Sequence, residues 1–165
     1  MVFPDLQNHN FWNDKPRNGS YHFVDHSHAI SFDQLRKLKR SEIAKVGETL
    51  TASWANFAGW QTLYQGLRHV GFELDLVVKN STRVRILEVK TIRHTDFVPD
   101  LEVICGFMNH RKIQALKRGA NFLISTLAQH KICVEEISCE LVVVNLKPYG
   151  RVKAYRWPDA CTLNS

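Results

Sequence analysis

Residues 72–91 read FELDLVVKNSTRVRILEVKT, and this stretch decides the fold. Apolar and polar residues alternate over 72–79 and again over 83–91, which is the pattern of two half-buried β-strands. Asn80-Ser81 lies between the two runs and is typical of a turn. The stretch therefore predicts a β-hairpin.

The alternation also predicts which side chains share a face of this hairpin. With an even loop such as residues 79–82, opposed residue numbers sum to 161, so Glu73 faces Glu88 across the strands. On this register the polar face carries Glu73, Asp75, Glu88 and Lys90. The other face carries Leu74, Leu76, Leu87 and Val89. An odd loop would turn one strand over and separate the polar set.

Three carboxylates and an amine on one face allow two interpretations. A divalent cation would neutralise the carboxylates, and Mg²⁺ held by one or two of them can activate water against a phosphodiester. A nearby ammonium can stabilise the charge that develops on the phosphate. Alternatively, the four residues form a solvated face with cross-strand ion pairs.

Outside the hairpin, hydrophobic periodicity predicts the remaining elements in a consistent order. We expect helices at residues 32–57 and 108–129, strands at 60–64, 140–146 and 152–157, and a loop at 92–107. The order α-β-β-β-α-β-β predicts an α/β fold with a mixed central β-sheet flanked by helices. Residues 31–165 are expected to form one domain, and residues 1–30 an irregular N-terminal arm. Trp12 in that arm is open to a core or a base-stacking role.

Composition narrows the classes of function. The 165 residues include 22 Lys+Arg and 16 Asp+Glu, so the net charge is +6 and favours a polyanionic partner. No stretch is apolar enough for a membrane span, and no secretory signal is recognisable, so we expect a cytoplasmic protein without a membrane partner. The four cysteines include no C-x-x-C pair, which argues against structural zinc and a disulfide scaffold.

The motifs resemble a known family. Asp75 and the Glu88-Val89-Lys90 triplet, thirteen residues further on, resemble the signature of the PD-(D/E)xK nuclease superfamily. The closest resemblance is to the YraN-like family, whose fold is restriction-endonuclease-like and resolvase-like with an α-β-β-β-α-β core. Its motifs have counterparts at Gly47-Glu48, 59–64, 72–77, 86–91, Lys112…Leu116…Ala120 and 139–143. The match covers about residues 40–160. Phe72 replaces the family's glycine, and Ile92 displaces the expected arginine to Arg93.

The resemblance implies roles for individual residues. Asp75 and Glu88 would be the primary ligands of Mg²⁺ or Mn²⁺, with the Val89 carbonyl as a further ligand. Glu48 would reach the metal directly or through water, and Lys90 would position the attacking water. Glu73 would either support these ligands from a second layer or simply be exposed. Thr91 points to the opposite face of an unbroken strand and would join them only through a twist. The residues expected to bind nucleic acid are Lys112, Arg111, Gln114, Arg93, Lys79, Arg83 and Arg85. Each of these could equally lie on a solvated face.

The expected function is that of a Mg²⁺-dependent DNA endonuclease. It would hydrolyse phosphodiester bonds in branched or flapped DNA during recombination or repair, by resemblance as a homodimer. The alternative is a nucleic-acid-binding module with little or no cleavage that acts through protein partners in repair, recombination or uptake. An RNA-directed nuclease of the same fold is a third possibility.

Overall fold

The strands form a single sheet in the computed structural model, which describes Trp12 and residues 21–25, 36–93, 100–147 and 152–161. The six strands of these ranges are β1 Tyr21–Asp25, β2 Gln61–His69, β3 Phe72–Asn80, β4 Arg83–Ile92, β5 Glu136–Leu146 and β6 Val152–Cys161. Their spatial order is β1-β6-β5-β4-β3-β2. Neighbours are antiparallel except β4 and β5, which are parallel.

Helices cover both faces of the sheet. The described helices are α1 Arg40–Phe57, α2 Leu101–Phe107 and α3 His110–Gln129. Parallel neighbours cannot be joined by a tight turn, and the segment containing α2 and α3 provides the crossover from β4 to β5. The predicted mixed sheet flanked by helices, with its α-β-β-β-α-β core, is confirmed.

Two apolar layers hold the helices to the sheet. One joins α1 to the sheet and includes Ile43, Leu50, Trp54, Leu76, Val78, Leu87, Val89, Val142 and Val144. The other joins α3 to the opposite face and includes Leu116, Ala120, Leu123, Leu127, Leu74, Val77, Ile86, Leu141 and Val143. Gly119 of α3 lies against Leu74, where a Cβ would come within 2.6 Å of a leucine methyl. The helix can therefore approach the sheet closely.

Several element boundaries differ from the predicted ones. β2 ends at His69, β5 begins at Glu136 and β6 ends at Cys161, so each of these strands is four or five residues longer at that end than predicted. Residues 1–30 were expected to be irregular, but Tyr21–Asp25 pairs with β6 as an edge strand. The predicted loop 92–107 contains α2, which Asp100 caps by accepting a hydrogen bond from the Val103 N–H at 2.9 Å. Within the predicted helix 32–57, residues 36–37 are helical, residues 38–39 interrupt the helix, and α1 runs from Arg40 to Phe57. Residues 1–11, 13–20, 26–35, 94–99, 148–151 and 162–165 lie outside the described ranges.

The hairpin register also differs from the predicted one. Val78 pairs with Arg85 and not with Arg83, because the turn is a two-residue turn at Ser81-Thr82. A shift of two residues preserves the faces, since side chains alternate with a period of two. Leu76, Leu87 and Val89 lie under α1 as expected.

Leu74 was predicted on the same face as Leu76, and this is wrong. Leu74 lies in the layer under α3, together with Val77. Two residues three positions apart cannot share a face of a regular strand. The alternation of β3 is therefore broken between them, and Asp75 lies at the break.

None of the helices in the described ranges is long and apolar enough to cross a membrane. All four cysteines are free, with Cys139 and Cys161 buried and Cys105 and Cys133 exposed.

Candidate active site where two strands diverge

The site begins where β3 leaves β4. Backbone pairing between these strands runs from Asn80–Arg83 to Leu76–Leu87. At the next position the Asp75 carboxylate accepts a hydrogen bond from the Val89 N–H at 2.9 Å. A side chain thus satisfies a donor that a strand carbonyl would satisfy in a regular ladder. The break in alternation turns the Asp75 carboxylate toward β4.

Glu88 lies at the centre of the site between two ammonium groups. Its side chain is fully buried. Lys90 donates to Oε1 at 2.5 Å, and the Lys112 ammonium contacts Oε2. Burial of a carboxylate is costly unless it is paired, and the two lysines provide that pairing from β4 and from α3.

The start of α3 points Lys112 at this cluster. Asn109 caps the helix by accepting a hydrogen bond from the Lys112 N–H at 3.0 Å, so Lys112 lies in the first turn. The N-terminal end of a helix carries partial positive charge, which favours anions nearby. The helix end and its lysine therefore both favour a negatively charged group at the site.

The carboxylates of the site repel each other. Burial, and then repulsion from Glu88, raise the pKa of Asp75 to about 7, against the opposing effects of Lys112, the Val89 N–H and Lys90. The pKa of Glu48 on α1 is raised by burial and then by Glu73 and Glu88. Clustered carboxylates with raised pKa values are a feature of functional sites as well as of structural ion networks.

The donor set fits a divalent cation. In the described ranges, no three His, Cys, Asp or Glu side chains cluster as a complete metal site. Mg²⁺ does not require one, because it is commonly held by one or two carboxylates with water completing its coordination shell. Asp75 and Glu88 supply two carboxylates whose mutual repulsion a cation would relieve.

Tight packing holds α1 against the strand that carries Glu88 and Lys90. Gly47 lies directly over Thr91, so that a Cβ at this position would overlap the threonine side chain. The Thr91 hydroxyl lies 3.5 Å from the Ala44 carbonyl, to which it donates. Thr91 therefore faces α1 and not the cluster around Glu88. Glu48 follows Gly47 directly, so this close approach also sets the position of Glu48.

Glu73 lies apart from the pair of lysines. It is the cross-strand partner of Arg68, which donates to its carboxylate at 2.8 Å. Both side chains are exposed. The charge of Glu73 raises the pKa of Glu48. The Glu73 carboxylate pairs with Arg68, whereas Glu88 pairs with Lys90 and Lys112.

Arg85 was expected at a nucleic-acid surface, but it lies in the interior. Arg85 and Arg156 both pair with the buried Glu140, at 3.1 Å and 2.5 Å. The Arg85 guanidinium also lies 3.8 Å from the ring centre of Trp60 and donates to the Trp12 carbonyl. Arg85 is therefore removed from the candidate interface, because a buried and paired guanidinium cannot reach phosphate.

This buried charged cluster is the main feature that sequence reasoning missed. Arg83 and Arg85 lie on the same face of β4, beside Trp60, and only the tertiary fold shows that Arg85 is buried while Arg83, at the end of the strand, is exposed. Trp12, fully buried, lies 5.9 Å from the Arg156 guanidinium, so it belongs to the core.

The other residues proposed to bind nucleic acid lie at or near the surface. Arg83, Arg93 and Arg111 are exposed, whereas Lys79 and Gln114 are half-buried. Arg83 also lies 5.5 Å from the Trp60 ring, so its orientation is restrained.

Comparison with curated proteins gives a match of low sequence identity. No family model matches the chain. The chain is similar to UPF0102 proteins from two strains of Treponema pallidum, one of them the Nichols strain. Each is 25% identical over 105 residues, which is 64% of this chain and 79% of the relative.

Proposed function

We propose that this protein is a metal-dependent endonuclease that hydrolyses phosphodiester bonds in branched or flapped DNA. The observation that carries the proposal is the convergence of Asp75, Glu88, Lys90 and Lys112 where β3 and β4 diverge. The similarity to UPF0102 proteins supports it, because that family is the YraN-like one whose motifs the sequence resembles. By the same resemblance, a second copy of the chain and a recombination or repair protein are the proposed partners.

The residues of the site divide the work between them. Asp75, Glu88 and the Val89 carbonyl would hold Mg²⁺ or Mn²⁺, which supplies charge neutralisation and a lowered pKa for water. Lys90 would leave Glu88 to orient the attacking water. Lys112, at the positive end of α3, would bind an oxygen of the phosphate and offset its developing charge. Glu48, with its raised pKa, would accept the proton that water releases.

One observation favours the second candidate, a nucleic-acid-binding module without cleavage. Lys90 and Lys112 already neutralise the charge of Glu88 without a metal cation. A carboxylate that two ammonium groups neutralise does not require a metal, and the basic surface would bind DNA by charge alone.

A cleavage assay decides between the two candidates. The labelled substrates are four-way-junction, flap, single-stranded and duplex DNA, and single-stranded RNA is tested as a separate substrate. Wild type is compared with Asp75→Ala and Lys90→Ala in Mg²⁺, Mn²⁺ or EDTA. The control is Lys131→Ala, because this position is exposed and follows the C-terminal end of α3, whereas Lys112 of the site lies in the first turn of that helix. Metal-dependent cutting that only the two site variants abolish supports the nuclease. Salt-sensitive binding without cutting in any metal supports the binding module.

A further inference from the structure

Three aromatic rings form a mutually contacting cluster at the end of the β2–β3 hairpin. His69 and Phe72 are cross-strand partners whose ring centres lie 5.4 Å apart at an interplanar angle of 16°. Phe122 of α3 lies 5.0 Å from His69 and 5.4 Å from Phe72. Phe72 is buried and Phe122 half-buried, whereas His69 is exposed. The imidazole is therefore the outer ring, supported by two phenyl rings.

We infer that this cluster is a stacking platform for an unpaired nucleobase. A nucleobase presents a flat π-face, and stacking on an aromatic side chain is tolerant of base identity. Because Phe72 and Phe122 restrain the His69 ring, little conformational freedom would be lost on binding. The neighbouring Val70 is 91% exposed, so the surface beside the ring is apolar.

The charge beside the rings fits a nucleotide rather than an apolar peptide. Arg118 of α3 donates two hydrogen bonds, of 3.0 Å and 2.8 Å, to the Gly71 carbonyl at the tip of the same hairpin. The guanidinium is exposed and fixed next to the platform. A restrained arginine is suited to binding phosphate, and the chain as a whole carries a charge of +6.

The platform lies within reach of the candidate active site. Phe72 precedes Asp75 by three residues on β3, which corresponds to about 10 Å. Phe122 follows Lys112 by ten residues on α3, which corresponds to about 15 Å. The platform and the Glu88–Lys112 contact both lie on the side of the sheet that α3 covers. A strand bound at the active site could place a base on His69 within a few nucleotides.

This geometry specifies the substrate class. Bases inside a duplex are stacked on their neighbours and have no free face for a protein ring. The platform therefore selects DNA with unpaired nucleotides, such as a flap or a single-stranded branch. This inference rests on the proposed function for its substrate, but it concerns binding, which is measured without cleavage.

Fluorescence anisotropy in EDTA tests the platform. The probes are labelled oligothymidylate, an oligonucleotide of the same length with abasic sites, and a blunt duplex. The variants are His69→Ala, His69→Phe, which keeps a ring, and the control His130→Ala at the exposed end of α3. Thermal melting checks that each variant is folded. We expect His69→Ala to weaken oligothymidylate binding about tenfold, with His69→Phe and His130→Ala close to wild type.

Two results would overturn the platform. One is oligothymidylate affinity that His69→Ala leaves unchanged, or lowers no more than it lowers duplex affinity. The other is equal wild-type affinity for the abasic and the oligothymidylate probes. Base-dependent binding without any cleavage would keep the platform and reject the nuclease. Cleavage without base-dependent binding would do the reverse.

Discussion

The Asp75 carboxylate accepts a hydrogen bond from the Val89 N–H at the point where β3 and β4 stop pairing. This contact connects the fold to the candidate chemistry. The strand that leaves the sheet exposes a main-chain donor, and the acidic side chain that satisfies it is thereby held near Glu88. The two carboxylates are held close together although their charges repel, and this repulsion lowers the free energy of unfolding.

Replacement of Asp75 by asparagine is therefore expected to stabilise the metal-free protein at alkaline pH. The pKa of Asp75 is raised from 3.8 to about 7 in the folded protein. Between these values the folded chain holds a proton that the unfolded chain has released, so wild-type stability falls as pH rises through this window. Asp75→Asn removes this fall and should be more stable by about 1–3 kcal/mol at about pH 8.

Urea denaturation in EDTA measures this difference, and at about pH 4 the advantage of the variant should disappear. When Mn²⁺ replaces EDTA, the free energy of unfolding should increase for wild type and stay the same for Asp75→Asn. A variant that is less stable than wild type at both pH values would contradict the repulsion between the two carboxylates.

Lys90 and Lys112 are expected to act on stability together, because both neutralise Glu88. Lys90→Met or Lys112→Met alone should cost about 1–2 kcal/mol, since one ammonium remains. The double variant leaves a fully buried carboxylate without either partner and should cost about 1 kcal/mol more than the two single changes combined. A double-mutant cycle by urea denaturation measures this coupling, with exposed Lys131→Met as control. Strictly additive costs would show that the two lysines do not share Glu88.

Gly47→Ala should destabilise the protein by displacing α1 from β4. The new methyl group would overlap the Thr91 side chain, and a cost of about 1–3 kcal/mol is typical of such overpacking. Gly106→Ala is the matched control, because a Cβ there has no neighbour within 4 Å. Helix propensity should make that change neutral or stabilising by about 0.5–1 kcal/mol. Equal effects of the two substitutions on the melting temperature would exclude the close contact.

Glu140→Gln should be among the most destabilising single changes to a charged residue in this chain. It would leave Arg85 and Arg156 buried together without a counter-charge, at a cost of about 3–5 kcal/mol. Burial already lowers the pKa of Arg85 to about 10, and Glu140 opposes that shift. Chemical denaturation measures the cost. A loss below about 1 kcal/mol would indicate that the guanidinium groups reach water.

Arg85→Met and Arg111→Met test which arginine is structural and which one binds DNA. Because Arg85 is buried, its replacement should lower stability while the salt dependence of DNA binding stays as in wild type. Arg111→Met, at an exposed position, should reduce that salt dependence if α3 faces the DNA. Anisotropy titrations at several salt concentrations distinguish the two.

Local pattern was sufficient to predict most of the fold. Alternation placed β3 and β4 within one residue of their observed ends, and the 3.6-residue period placed α3 within two. These elements can be predicted from local sequence because each has one buried face, which produces a regular hydrophobic pattern. The convergence of Asp75, Glu88 and Lys90 was predicted from an even hairpin loop, and the observed two-residue turn meets that condition. The contact between Asp75 and the Val89 N–H, however, depends on the break in the alternation of β3, which was not predicted.

The remaining features depend on contacts that are distant in the chain. Leu74 changes face because β3 leaves β4, and strict alternation cannot anticipate such a break. Arg83 and Arg85 cannot be distinguished from the local sequence pattern. The burial of Arg85 depends on Glu140 and Arg156, which belong to later strands. The edge strand Tyr21–Asp25 exists through its pairing with β6, more than a hundred residues away.

The parallel pairing of β4 with β5 has a consequence for synthesis on the ribosome. The hairpin that carries Asp75 and Glu88 is complete once residue 92 has emerged, but its partner β5 is the segment Glu136–Leu146. Until that segment is translated, the β4 edge is an unpaired row of backbone donors and acceptors, which is a template for association between nascent chains. A premature stop codon before residue 146 would therefore yield an aggregating fragment, even though it contains Asp75 and Glu88, the two candidate carboxylate ligands.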